Sequence, residues 1–161
     1  MKNKIKTIDE IKEIAGKLRK EGKIIVTTNG SFDILHSAHI NLFEKAKKLG
    51  DVLIVLLNSD SSIKRNKGEK RPIINEKERA HIISALESVD YVIIFEEDKP
   101  LNLIKAIKPH KHVKGGSFIP SLVSEEKDLV LTWNGECIYL ELEKGFSTTN
   151  IIETILERFR N

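Results

Sequence analysis

The chain has one cysteine, Cys137, so no internal disulfide can staple it; its apolar flanks in Cys137-Ile138-Tyr139-Leu140 place it on a buried strand. A reducing, cytoplasmic setting is the expectation. No run of apolar residues approaches the about 20 needed to span a bilayer. The N-terminus alternates lysine and isoleucine without the continuous apolar segment of a secretion signal, so no membrane partner is expected. Charge of one sign is scarce as well. The 27 Lys and Arg against 24 Asp and Glu leave a formal net charge of +3, dispersed among mixed-sign neighbours, which is no footprint for nucleic acid. With neither an internal repeat nor a low-complexity linker, the 161 residues read as one domain, 1–161, able to bury about two-thirds of the unfolded surface. Neither GxGxxG nor GK[ST] follows the first apolar run, which argues against hydride transfer on a dinucleotide and against P-loop chemistry. No carboxylate cage for a metal is evident either, so no metal-ligating residue is assigned.

What is present alternates between two periodicities. Thr7-Ile8-Asp9-Glu10 has capping-box spacing, and Ile8, Ile11, Ile14, Ala15 and Leu18 recur at helical intervals until Gly22. Lys23 to Thr27 holds a short β-branched strand, after which Leu42, Phe43, Ala46 and Leu49 mark one side of a helix stopped by Gly50. Val52 to Leu57 is continuously apolar, as a strand covered on both faces should be. Ser61 to Asn75 is polar and basic around Gly68 and reads as a long surface loop. Asn75 and Glu78 then cap a helix with Ala80, Ile82, Ile83, Leu86 and Val89 inward, and Tyr91 to Phe95 supplies a third strand. A short helix over Pro100 to Ile107, a strand at Lys111 to Lys114 ending in Gly115-Gly116, a helix over Ser121 to Leu131, a strand at Glu136 to Leu140 and an amphipathic helix over Thr149 to Phe159 complete the chain. This alternation implies a Rossmann-like open α/β fold: a parallel five-stranded sheet with helices on both faces. Ligands on such sheets bind beyond the carboxyl ends of the strands, where Gly30 to His39 and Val113 to Gly116 both fall.

The segment Thr28-Asn29-Gly30-Ser31-Phe32-Asp33-Ile34-Leu35-His36-Ser37-Ala38-His39 joins a strand to a helix and ends in two histidines three residues apart. That spacing puts both imidazoles on one face beside the unpaired N–H groups of a helix start, a place suited to oxyanions. Gly30 to His39 resembles the G-[TCS]-F-D-x-x-H-x-G-H signature of the cytidylyltransferase-like nucleotidyltransferases. Asn58-Ser59-Asp60, Lys64-Arg65-Asn66-Lys67-Gly68, Arg71-Pro72-Ile73, Glu78-Arg79-Ala80, Ala85 to Tyr91, Val113-Lys114-Gly115-Gly116 and Ser147-Thr148-Thr149-Asn150-Ile151 extend the likeness over roughly Thr7 to Leu156. Together they are similar to one subfamily, the bacterial D-glycero-β-D-manno-heptose 1-phosphate adenylyltransferases, often the C-terminal half of a two-domain enzyme.

The resemblance implies an adenylyltransferase that joins ATP to a sugar 1-phosphate, giving ADP-heptose and pyrophosphate for lipopolysaccharide precursors, with Mg²⁺ held mainly by ATP phosphates. His36 and His39 would stabilise charge at the α-phosphorus, and Lys64 and Lys67 of the basic loop would reach the triphosphate. Gly30, Ser31 and Phe32 would border the nucleotide, Lys114, Gly115 and Gly116 would flank the base, and Ser147, Thr148 and Thr149 would form a second phosphate corner. Asp33 either holds the turn or meets a substrate hydroxyl; Arg79 either contacts phosphate or pairs with Glu76 or Glu78. A homodimer and a separate kinase supplying the sugar phosphate are the implied partners. Two positions depart from the pattern: Ala38 stands for a glycine near the nucleotide, and Ser117-Phe118 stands for Asp-Tyr after Gly-Gly. They keep open a CTP-dependent cytidylyltransferase acting on glycerol 3-phosphate or a similar alcohol phosphate, and a nucleotide-binding module without catalysis.

Overall fold

The computed structural model describes residues 3–116 and 124–160. Five strands, β1 (Ile25–Gly30), β2 (Val52–Asn58), β3 (Tyr91–Phe95), β4 (Lys111–Gly115) and β5 (Glu136–Leu140), form a parallel sheet in the order β3-β2-β1-β4-β5. This is the expected Rossmann-like arrangement. Alternate residues of the central strands feed opposite cores, because successive side chains on a strand point to opposite faces. Leu53, Val55 and Leu57 of β2 join Val26 and the helices α2 (Ser37–Lys47) and α4 (Glu76–Ser84) on one face. Ile54 and Leu56 join Ile25 and the helices α1 (Ile8–Lys20), α5 (Leu101–Ile107) and α6 (Ser124–Leu131) on the other. Each such fully buried Ile or Leu contributes about 1.5–3 kcal/mol, so β2, apolar from Val52 to Leu57, is the main apolar anchor of the sheet.

Helix starts are set by side-chain caps. Thr7 accepts from the Glu10 N–H while Glu10 accepts from the Thr7 N–H, the reciprocal box anticipated from the sequence. Asn75 caps α4 through the Glu78 N–H. The expected Ser61–Asn75 loop is corrected over its first half, since Asp60–Lys67 forms a helix, α3. Ser59 caps it through the Ser62 N–H, and Ser62 and Ile63 are its buried residues, so its inward face is too short to register as a periodicity. Ile82, expected inward on α4, is 40% exposed because the helix presents Arg79, Ala80 and Ile83 to the core. The N-terminal part of the expected Ser121–Leu131 helix, residues 121–123, lies outside the described residues. The last helix, α7 (Thr148–Phe159), buries none of its residues and leaves Ile155, Leu156 and Phe159 exposed. Cys137 sits half-buried on the edge strand β5. Among the described residues, no helix is long and apolar enough to cross a membrane.

The topology fixes where a ligand can enter. From β1 the chain steps outward through β2 to β3, then returns across the sheet to place β4 on the other side of β1. The direction reverses between β1 and β4, and the crevice beyond their carboxyl ends is the site such folds offer.

Candidate active site

At the end of β1 the chain turns sharply, and Phe32 adopts a left-handed φ of 44°. Its ring folds back over Gly30, where an added Cβ would lie 2.9 Å from Phe32 Cζ, so a side chain at position 30 would force the ring to shift. Phe32 is buried and meets two rings edge-on, His39 at 5.2 Å between centroids and Phe43 at 4.8 Å. His36 is the N-cap residue of α2 but makes no side-chain cap, and the first turn carries no acidic residue. The start of the helix is therefore left positive and open. One turn on, His39 stacks against His36 with centroids 3.7 Å apart and planes inclined by 24°.

Such close stacking suits neutral rings. Burial lowers the His36 pKa below its ordinary value, and burial, then the His36 and Lys67 charges, lowers that of His39 to about 4. At neutral pH each imidazole then offers one N–H donor and one acceptor. The Nδ1 atoms of both are buried without a hydrogen-bond partner among the described residues, so both rings hold unused hydrogen-bonding capacity beside an open helix end.

The two rings line a cavity of about 490 Å³. Asn29, Gly30, Ser31, Phe32 and Asp33 enter from the end of β1, and Lys67 and Arg71 from the end of α3 and the loop beyond it. Gly115 and Leu142 contribute from the ends of β4 and β5, and Phe146, Ser147, Thr148 and Thr149 from the start of α7. Ser147 caps α7 by accepting from the Asn150 N–H, and that helix also has no acidic residue in its first turn. Two helix starts and two cationic side chains thus converge on one space, with hydroxyls beside them. Burial and then the Arg71 charge depress the Lys67 pKa, although the residue as a whole is exposed.

Asp33 holds the turn. Its carboxylate, 2% exposed, accepts from Arg71 Nε at 2.7 Å and from the N–H groups of Ile73 and Ile74 at 2.9 Å. Burial pushes its pKa up, but the Ile74 and Ile73 N–H groups and then Arg71 outweigh that and hold it below the ordinary carboxylate value. Arg79 is also held by the protein, and the expected pairing with Glu76 or Glu78 is not made. Its fully buried guanidinium donates to the carbonyls of Ile74, Ser31 and Asn58 and pairs with Asp60 at 2.7 Å, not with Glu76 or Glu78 and not with the cavity.

Of the residues singled out from the sequence, Gly30, Ser31, Phe32, Asp33, His36, His39, Lys67, Gly115, Ser147, Thr148 and Thr149 meet around this space. Lys64 does not: it is exposed on α3, one turn before Lys67, and outside the lining. Lys114 is turned away to Asn29 and Glu126, and Gly116, at a φ of 118°, is also outside the lining. Ala38 is buried in α2 and does not line the cavity, so its methyl takes no room there. Ser117 and Phe118 lie outside the described residues. Asn29, Leu42, Arg71, Leu142 and Phe146 were not anticipated as lining. For Arg71 a signal existed, since an aspartate in a buried turn calls for a cationic partner.

No group of three or more His, Cys, Asp or Glu side chains suited to a metal occurs among the described residues, and Asp33 is committed to the turn. A divalent cation in this cavity would therefore be carried largely by the oxygens of a bound phosphate and by water, a usual arrangement for Mg²⁺.

The cytidylyltransferase-like family profile matches residues 27–154, from β1 into α7. The chain belongs to the cytidylyltransferase-like family. Among curated relatives, the "Bifunctional protein HldE" of Pelobacter propionicus is 50% identical over 157 residues, 98% of this chain and 32% of its own length. That of Aliarcobacter butzleri is 52% identical over 95% of this chain and 31% of its own. The chain thus spans about a third of the length of these relatives. The crystal structure of the lipopolysaccharide core biosynthesis protein from Thermoplasma volcanium is matched over its whole length and 78% of this chain, with 31% identity and a TM-score of 0.63. A pantoate-beta-alanine ligase from Francisella tularensis, 20% identical with a TM-score of 0.64 over 98% of this chain and 79% of its own, shares the fold.

Proposed function

We propose that residues 1–161 are one nucleotidyltransferase domain that joins ATP to a sugar 1-phosphate, D-glycero-β-D-manno-heptose 1-phosphate, releasing pyrophosphate and forming ADP-heptose. The observation that carries this reading is the stacked, hydrogen-bond-unsatisfied pair His36 and His39 at the open start of α2, facing a cavity also lined by Lys67, Arg71 and the Ser147-Thr148-Thr149 corner. The heptose assignment rests on the ordered motifs over Thr7 to Leu156. It is supported by relatives named HldE at about half identity and by the Thermoplasma protein's place in lipopolysaccharide core biosynthesis.

In this reading an oxygen of the sugar phosphate attacks the α-phosphorus of ATP in line. The bond to the bridging oxygen of the β-phosphate breaks, and pyrophosphate leaves with that electron pair. The nucleophile already carries charge, so no general base is required. Catalysis is then a matter of positioning and charge neutralisation. His36 and His39 donate to the α-phosphate oxygens, where charge grows, while Lys67 and Arg71 hold the outer phosphates. Asp33 acts by fixing Arg71. The hydroxyls of Ser147, Thr148 and Thr149 with the first N–H groups of α7 take the departing pyrophosphate. Mg²⁺ bound on the triphosphate supplies further charge neutralisation. The acceptor's phosphate requires a kinase at a separate active site, in keeping with the word "bifunctional" in the names of the longer relatives.

Pyrophosphate release from purified protein tests the proposal, with ATP or CTP offered against heptose 1-phosphate, other sugar 1-phosphates and glycerol 3-phosphate. Release with ATP and the heptose phosphate is expected. Release with CTP and glycerol 3-phosphate alone would replace the proposal with a cytidylyltransferase, and ATP binding without release from any acceptor would remove catalysis from it.

A further inference from the structure

The sequence pattern put Lys114 on the nucleotide, yet its ammonium makes two contacts inside the protein. Lys114 Nζ lies 2.8 Å from Asn29 Oδ1 and 3.2 Å from Glu126 Oε1, and the Glu126 side chain is only 2% exposed. Glu126 Oε2 is buried without a hydrogen-bond partner among the described residues, so Lys114 is the charge that makes Glu126 tolerable there. The consequence falls on Asn29. An ammonium can only donate, so the Asn29 atom it meets must be the carbonyl oxygen, and the carboxamide cannot flip. Its NH₂ group then has no acceptor among the described residues, on a residue that lines the cavity.

The position of Asn29 says what that NH₂ meets. Thr28 pairs with Val113 across the β1–β4 ladder, which puts Asn29 opposite Lys114 and next to Gly115. A Cβ built on Gly115 would lie 2.8 Å from Leu42 and 3.4 Å from Leu142, so the bare backbone there runs between two leucines. The cationic lining, Lys67 and Arg71, comes instead from the chain after β2, on the other side of β1. One end of the cavity is thus charged and suited to phosphates. The other is neutral and apolar, with amide groups at its edge, which suits a flat heteroaromatic ring.

We infer that Asn29 is a base-reading residue, donating from its NH₂ to a ring nitrogen or carbonyl of the nucleotide, and that the buried Lys114–Glu126 pair is the device that points it there. Lys114 is a positioning residue that acts through Asn29. This rests on the nucleotide-binding reading above.

The test is calorimetric binding of ATP and of tripolyphosphate to wild type, Asn29→Ala, the paired Lys114→Met/Glu126→Gln, and all three replacements together, each checked for folding by circular dichroism. Loss of one neutral hydrogen bond should weaken ATP about three- to tenfold in Asn29→Ala and leave tripolyphosphate unchanged. The paired variant should lose ATP affinity similarly, and adding it to Asn29→Ala should cost nothing further. In turnover the loss should fall on KM for the nucleotide rather than on kcat. If the paired variant does not fold, Lys114→Gln takes its place in the cycle. In parallel, the side-chain NH₂ signals of Asn29 in wild type should shift with ATP and not with tripolyphosphate. Equal losses for ATP and tripolyphosphate would make Asn29 a phosphate ligand and overturn the inference. An undiminished Lys114 effect in the Asn29→Ala background would overturn the positioning role. Wild type that binds ATP while the variants match it overturns this inference alone; wild type that binds no ATP overturns the reading beneath it.

Discussion

Replacing Asp33 should separate a structural clasp from a substrate contact. Its carboxylate accepts from Arg71 Nε and from two backbone N–H groups, Ile73 and Ile74, in a site where the residue is 2% exposed. Asp33→Ala leaves those donors without an acceptor. Each orphaned backbone N–H costs about 1–3 kcal/mol, while Arg71, 15% exposed, can partly recover water. The two N–H groups alone come to about 2–6 kcal/mol, a large share of the roughly 5–15 kcal/mol that holds a domain together. Asp33→Asn is the sharper probe, since it keeps the shape and one oxygen but turns an NH₂ toward groups that are all donors. The pH dependence has a definite sign. The folded-state pKa of Asp33 lies below its ordinary 3.8, so the clasp stabilises fully above that value and is lost as pH falls through the folded pKa. Urea unfolding should show wild type well above Asp33→Asn at pH 7, with the gap closing in acid. ATP affinity should fall in the variant as well, because Arg71 loses its anchor. An Asp33→Asn protein as stable as wild type at pH 7, binding ATP equally, would refute the clasp.

His39 should titrate near 4 in the free protein when followed by NMR, and its pKa should rise on adding triphosphate. Because its folded pKa is depressed, the unfolded chain takes the proton first, so stability should fall as pH drops from 6.5 towards 4, by less than the full shift implies because the ring is only partly buried; a free-state value at or above 6.5 would contradict the stacked pair. Arg79→Met should destabilise by about 3–5 kcal/mol in chemical unfolding, since it leaves the Asp60 carboxylate and three carbonyls without their donor. Lys67→Ala should lower kcat/KM about ten- to a hundredfold, as expected for a hydrogen bond to charge, and Lys64→Ala far less; the reverse order would move the triphosphate away from the cavity lining.

The sheet was legible because its strands are short, β-branched and separated by capped helices: Thr7 and Asn75 announce their helices, and Val52 to Leu57 can only be buried on both faces. The helix α3 was not, because an eight-residue segment with two inward side chains carries too little periodicity to be told from a basic loop. The histidine pair was legible because it flanks a helix start: His36 is the extended N-cap residue of α2 and His39 its third helical residue, and the two rings stack across that first turn. The protein partners of Arg79 and Lys114 were not legible for the opposite reason. Their carboxylates, Asp60 and Glu126, come within reach only through the packing of α3 and α6. Asn29 and Leu142 were missed because they join the cavity through strand ends that sequence spacing does not relate.

The central claim is that two neutral imidazoles at an open helix start stabilise charge developing on the α-phosphorus. Turnover and nucleotide affinity measured side by side in His36→Ala and His39→Ala test it most directly. The account predicts kcat lower by about a hundredfold or more in each, with ATP dissociation constants changed far less. Weakened ATP binding with the bound complex turning over at the wild-type rate would contradict it.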